Sequence, residues 1–252
     1  MSPAGGGNAA SRRQYVGPKR SASGCRVRRR RGNGGMSCRT CRLPRCPRCG
    51  LHLPLCLCAR LPHVATVTRV VVIMHYREDE RPSNTGRLVH YCLTNSELIR
   101  RGRRGAPVAV VAIPRGARPA ILYPADDAIP LDRWPGAPPD WLVVPDGSWG
   151  QASRIRHGTQ GLAGVPCVRL PEMPVTLLCL RAPDRKGRMC TLEAVARALG
   201  LLEGELVAAP LLQALTLKVE RMLWMRGMLP RAQVTGGIPE SAVALVSGRR
   251  PA

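Results

Sequence analysis

The sequence predicts an α/β protein, a sheet with flanking helices, with a small Cys-rich metal-binding unit ahead of it. Three observations predict this. Short apolar runs rich in Val and Ile recur between residues 67 and 170, in the manner of buried strands. Segments with helical spacing of apolar residues alternate with those runs and follow them, which favours helices packed on a sheet. Four cysteines crowd into residues 46–58, at spacings that let one short loop present pairs of thiolates to a tetrahedral ion.

Taken in order, residues 1–36 are a basic extension of Gly, Ser and Arg with almost nothing to bury, and are expected to be disordered. Residues 37–60 form the Cys-rich knuckle, and residues 61–235 the main domain. Its first strand is expected over 67–74 (VTRVVVIM), followed by a polar loop, HYREDERPSNTGR. Residues 88–99 read as helical in parts. Strands are expected over 107–113 (PVAVVAI), 120–123 and 141–144 (WLVV). The last of these ends at Pro145-Asp146-Gly147, and Ser148-Trp149-Gly150-Gln151 then fits the Ser-x-x-Gln capping box that opens a helix. Residues 165–170 and 176–180 read as short strands. Thr191 reads as an N-cap, with Glu193 suiting the first turn and Leu192, Val195 and Leu199 on one apolar face. A last helix is expected over 211–227, with Leu212, Leu215, Val219 and Met222 on one side. Residues 236–252 read as a loose tail.

Charge narrows the partners. The 252 residues carry a net charge of +23. Residues 1–60 hold fourteen Arg or Lys and no acidic residue, which points to a polyanion such as nucleic acid without saying which one. Aromatic residues are scarce and Phe is absent, so Val, Leu, Ile, Ala and Met must build the core. No apolar run approaches the roughly 20 residues of a membrane span, and the N-terminal residues lack the apolar centre of a secretory signal. A cytoplasmic protein is expected, whose cysteines are metal ligands or free thiols rather than disulfides. Neither a phosphate-binding Gly-rich loop nor a G-x-S-x-G elbow occurs, which leaves phosphoryl transfer and hydrolase chemistry without support.

The knuckle reads Cys46-x2-Cys49-x6-Cys56-x-Cys58. Four thiolates with no open position make a structural zinc site. Cys38-x2-Cys41 is a further pair upstream, and His52 is a possible substitute ligand.

Beyond the knuckle, three more segments stand out. One is His75-Tyr76-Arg77-Glu78 followed by R-P-S-N-T-G-R-L from Arg81. The next is Asp146-Gly147-Ser148-Trp149 with Gln151-Ala152 behind it. The third is Leu180-Arg181-Ala182-Pro183 and then Cys190-Thr191-Leu192-Glu193-Ala194. Together with the knuckle, in this order, they closely resemble the DTW-domain family, the tRNA-uridine aminocarboxypropyltransferases, over roughly residues 38 to 230. Two departures are visible: Ser148 stands where the family has Thr, and Cys190-Thr191 where it usually has Ser-Thr.

The resemblance implies a knotted, methyltransferase-like (SPOUT-related) sheet with flanking helices, the knot lying near the C-terminal half. It also implies transfer of the 3-amino-3-carboxypropyl group of S-adenosylmethionine to N3 of a uridine in tRNA, releasing methylthioadenosine. That reaction needs no metal, because a sulfonium is already a good leaving group. It needs alignment and help in removing the N3 proton. Asp146, at a strand end before a helix, is the candidate base, with a turn or cap role as the alternative. Trp149 is a candidate to stack on uracil or adenine, or to lie in the core, and Ser148 to cap the helix or touch the donor. Asn84, Thr85 and Arg87 are candidates for binding the donor, joined through the resemblance by Leu180, Arg181, Pro183, Thr191 and Glu193. His75, Glu78, Arg81 and Gln151 are candidates for contacting the RNA substrate. Three readings compete: a non-catalytic zinc-knuckle RNA-binding protein, which leaves the His75 and Asp146 loops unexplained, an RNA methyltransferase using the same donor, and the same transfer chemistry on ribosomal RNA.

Overall fold

In a computed structural model the described residues are 43–172 and 189–246. The basic extension, the Cys38/Cys41 pair, the strand expected over 176–180, and Leu180, Arg181 and Pro183 lie outside them. The described residues fall within one unit, Arg39–Ala252.

Six strands form a single sheet: β1 (Arg69–His75), β2 (Ser96–Arg101), β3 (Pro119–Leu122), β4 (Ile129–Pro130), β5 (Trp141–Asp146) and β6 (Cys167–Arg169). Their order is β2-β1-β5-β3-β6-β4, and every pairing is parallel. The helices are α1 (Tyr76–Asp79), α2 (Gly86–Cys92), α3 (Trp149–Gly158), α4 (Thr191–Glu203), α5 (Glu205–Met225) and α6 (Glu240–Val246).

Alternation along β1 shows why its run of valines is unbroken. Val70 and Val72 face a core shared with α2, α4, α5 and the knuckle, while Val71 and Ile73 face a second core completed by Ile155 of α3, Val111 and Leu162. A strand covered on both faces has no polar side, so it reads as continuous rather than alternating. Each fully buried Val, Leu or Ile contributes roughly 1.5–3 kcal/mol. All five central residues of β1 are completely buried, which makes this strand the spine of the fold.

Several expectations are corrected. The stretch 88–99 is divided: α2 stops at Cys92, and residues from Ser96 onward join the sheet edge, with Ser96 opposite Val70. Residues 107–113 make no strand; Val110 touches Gln160 in an isolated bridge. That segment buries Ala109 and Val111 and exposes Val108 and Val110, so its alternation serves to cover the sheet rather than to extend it. The N-cap of α4 is Cys190, and Thr191 is its first helical residue. The final long helix begins at Glu205, directly after Gly204, whose φ of 99° separates it from α4. Pro210 therefore lies inside α5. The bond its missing N–H forgoes would be to Leu206, which is 92% exposed and open to water. The segment read as a loose tail carries α6, with Ile238 and Ala242 buried in the core. No helix among the described residues is long and apolar enough to cross a membrane.

Candidate active site and metal centre

In an open parallel sheet, ligands are received at the carboxyl ends of the strands, where the chain switches from building one side to building the other. Here that point is the β1/β5 junction, since β2 lies on one side of β1 and every other strand lies beyond β5. Asp146 ends β5, paired with Met74 of β1.

The Asp146 carboxylate is held from two directions. Its Oδ2 accepts from Asn84 Nδ2 at 2.6 Å, and its Oδ1 accepts from Thr191 Oγ1 at 2.5 Å. Asn84 sits in the loop before α2, where its own Oδ1 accepts from the Arg87 amide at 3.1 Å. Thr85 reaches α4, its Oγ1 accepting from the Leu192 amide at 3.3 Å. Asn84, Thr85 and Asp146 are all buried. Three motifs far apart in sequence thus meet on one carboxylate. Gly86 makes the approach possible: a Cβ there would lie 2.3 Å from Asp146 Oδ2 and 3.2 Å from Met74 Cε. Because Gly86 has no positive φ, space rather than conformation demands glycine.

The other candidates divide by what they touch. Ser148 and Gln151 form the capping box of α3, the Ser148 amide donating to Gln151 Oε1 at 2.8 Å. Trp149 is 52% exposed and meets the Tyr123 ring edge-on, 6.0 Å between centroids. Arg156 stands over the Tyr123 ring at 5.8 Å. His75 caps α1, its Nδ1 accepting from the Arg77 amide at 3.3 Å. Burial and the neighbouring Arg77 lower its pKa, in keeping with a neutral ring that accepts at Nδ1. Glu78 is buried and ion-paired to Arg81 at 2.9 Å, and Glu193 is buried and ion-paired to Arg197 at 2.8 Å. Arg87 donates to the carbonyls of Pro47 and Asp79 and pairs with the Asp79 carboxylate.

The four knuckle cysteines converge, their sulfurs all within 4.8 Å of one another. Cys46 and Cys58 are 3.5 Å apart, and Cys49 and Cys56 3.8 Å. Zinc–sulfur bonds of about 2.3 Å at tetrahedral angles place sulfurs roughly 3.8 Å apart, so the cluster fits that ion. Burial raises the Cys46 thiol pKa, but hydrogen bonds from the Cys49 and Arg48 backbone and from neighbouring thiols outweigh this and lower it to about 7. His52 stands apart from the cluster, its Nδ1 bonded to the Leu43 carbonyl at 3.0 Å. We expect about one zinc per chain by metal analysis. Because a structural zinc is worth roughly 10–16 kcal/mol of coupled folding, Cys49→Ser is expected to lose the metal and unfold the knuckle. A folded Cys49→Ser chain with full zinc content would exclude this site.

Three cations that bind backbone carbonyls escape the sequence reading. On α5, Lys218 and Arg221 are almost wholly buried. Lys218 Nζ donates to the carbonyls of Cys49 at 2.9 Å and Asn84 at 2.5 Å. Arg221 donates to those of Leu55 and Cys56, each at 2.9 Å. Burial, with help from Arg87, lowers the Lys218 pKa to about 8. Arg101, at the end of β2, donates to the carbonyls of Arg154, Ile155 and Gly158 and so caps the negative end of α3. The one available signal was that Lys218 is one of only three lysines beside 36 arginines, set among apolar neighbours on a helix.

The fold and site define a parallel α/β protein with a buried, hydrogen-bonded carboxylate at the switch point of its sheet and a four-cysteine knuckle packed beside it. The DTW domain family matches residues 43–223, and the chain belongs to that family. It is 27% identical over 157 residues to tRNA-uridine aminocarboxypropyltransferase 2 of Drosophila melanogaster, an alignment covering 59% of this chain and 62% of that protein. It is 28% identical over 158 residues to the protein of the same name from Mus musculus, covering 59% of this chain and 53% of that protein. The matched region thus spans less than two thirds of these relatives' length. No solved structure matches the chain.

Proposed function

We propose that this protein is a tRNA-uridine aminocarboxypropyltransferase, with S-adenosylmethionine as donor of the 3-amino-3-carboxypropyl group. The observation that carries the reading is the Asn84–Asp146–Thr191 cluster at the carboxyl edge of β5, built from three motifs of a family whose named relatives carry this activity. Asp146 Oδ1 and Oδ2 each accept from a neighbouring side chain, and an ionised carboxylate offers about four lone-pair sites in all. Asp146 takes the N3 proton of uridine as N3 bonds to the donor carbon beside sulfur. The carbon–sulfur bond breaks, and its electron pair stays on sulfur as methylthioadenosine. Positioned base catalysis of this kind supplies about 10²–10⁴-fold.

Asn84, Thr85 and Thr191 border the donor's seat, and Leu180, Arg181 and Pro183 are assigned to it by family likeness. Glu193, His75, Glu78, Arg81, Arg87 and Gln151 hold their loops and helices through the contacts described above, and we assign them to shaping the site. Trp149, exposed beside Tyr123 and Arg156, offers a stacking face for an unpaired base. Trp149→Ala is expected to raise KM for tRNA several-fold; an unchanged KM and kcat would remove it from the site. The knotted, SPOUT-related arrangement belongs to the same reading, supported by the parallel sheet and by α4 starting against the end of β5.

The test is label transfer. Purified protein, undermodified tRNA and donor labelled separately in the methyl or the amino-acid arm are combined, and the RNA is digested to nucleosides for mass spectrometry. Amino-acid-arm label on uridine is the outcome expected. Methyl label alone would make the protein a methyltransferase. RNA binding without either label would make it a binding module.

A further inference from the structure

We infer that the four-cysteine knuckle buttresses the Asn84–Asp146 loop, and that Lys218 is the positioning residue that joins the two. The functional consequence rests on the proposed role of Asp146; the mechanical coupling does not.

Three separate contacts carry it. Lys218 Nζ, completely buried, donates at once to Cys49 of the knuckle and to Asn84 of the loop. Cys49 is one of the four clustered cysteines, and Asn84 is the residue whose side chain holds Asp146 Oδ2. One ammonium therefore stands between a metal ligand's carbonyl and the carboxylate's own donor. Arg87, two residues beyond Thr85, donates to Pro47 in the turn between Cys46 and Cys49. Gly50, with φ of 74°, brings the knuckle backbone against Pro82, where a Cβ would stand 3.0 Å from the Pro82 carbonyl. The knuckle touches the loop on both sides of Asn84, at 82 and 87, and Lys218 links it to Asn84 itself.

Physical cost argues that the link has a purpose. A buried ammonium carries a desolvation penalty that a leucine or methionine of similar length would avoid. What an apolar side chain cannot do is satisfy two buried carbonyls from two different loops, which would otherwise be left unbonded. Lys218 supplies that bond to both loops at once.

The experiment is hydrogen exchange on the full chain without donor or RNA. Its reporters are the amides of Arg87 and Leu88, which bond to Asn84 Oδ1 and the Thr85 carbonyl. Its reference is α3. In Lys218→Met, zinc content is expected to stay near one per chain and α3 exchange to match wild type, while the reporters exchange at least tenfold faster. Wild-type exchange at the reporters would overturn the inference. Should Lys218→Met loosen α3 as well, the wild-type chain treated with a chelator decides: faster exchange at residues 44–60 together with the reporters supports the coupling, and faster exchange at 44–60 alone overturns it. Because no turnover is read, a chain that shows the coupling and transfers no label would refute the transferase and leave the buttress standing.

Discussion

Asp146→Asn is expected to lower the rate of label transfer by about 10²–10⁴-fold, the range supplied by a positioned base, and to leave the fold intact. The second half of that statement makes the substitution diagnostic. Asp146 is also a structural node, accepting from both Asn84 and Thr191, so its removal by Ala confounds chemistry with architecture. Asparagine is nearly isosteric. Its oxygen accepts from Asn84 as the carboxylate does, and its amide can donate to the Thr191 hydroxyl, which turns to accept. What asparagine lacks is the ability to take a proton from N3. Turnover, donor binding by calorimetry and thermal stability should be measured together. Lost turnover with retained binding and stability supports the base. Retained turnover refutes it and leaves Asp146 as a node alone.

Gly86→Ala should be nearly as damaging to turnover, for a reason opposite to the usual one. Replacing a helical glycine by alanine ordinarily stabilises by up to about 1 kcal/mol. Gly86 opens α2, and its φ suits alanine. Yet the new methyl would stand 2.3 Å from Asp146 Oδ2 and 2.8 Å from Cγ, so the carboxylate must move by about an ångström to reach ordinary contact distance. A displacement of that size at a reacting group costs on the order of 10²-fold. The expected outcome is a melting temperature within a few degrees of wild type and turnover reduced about a hundredfold. Full activity in Gly86→Ala would show that the carboxylate's placement is not what the reaction requires.

Much of this molecule is written locally. The strands of the sheet centre were legible because burial on both faces makes their sequences continuously apolar, as at residues 70–74. The α3 capping box was legible because both partners lie within four residues of each other. The set of four cysteines was legible because its ligands share one thirteen-residue stretch. Failures fell where tertiary context overrides local pattern. Residues 107–113 have strand composition, but they make only an isolated bridge from Val110 to Gln160, and the segment covers a core instead. Thr191 has the chemistry of a cap, yet its hydroxyl is committed to Asp146, and Cys190 occupies the cap position. Residues 240–246 lack a strong helical signal and are ordered by packing Ala242 against the core.

By itself, then, the sequence determined the α/β class, a crowded set of four cysteines and, through resemblance to a family, the motif residues that meet at the site. Those features depend on spacing along the chain or on residue chemistry, and both survive without coordinates. Only the tertiary structure decided that Asp146 is gripped by Asn84 and Thr191, that Gly86 must be glycine, and that a buried lysine ties the knuckle to the loop. Lys218 lies 169 positions from Cys49 and 134 from Asn84. No periodicity along the chain registers a hydrogen bond of that span, because it exists only once the sheet has brought its strand ends together.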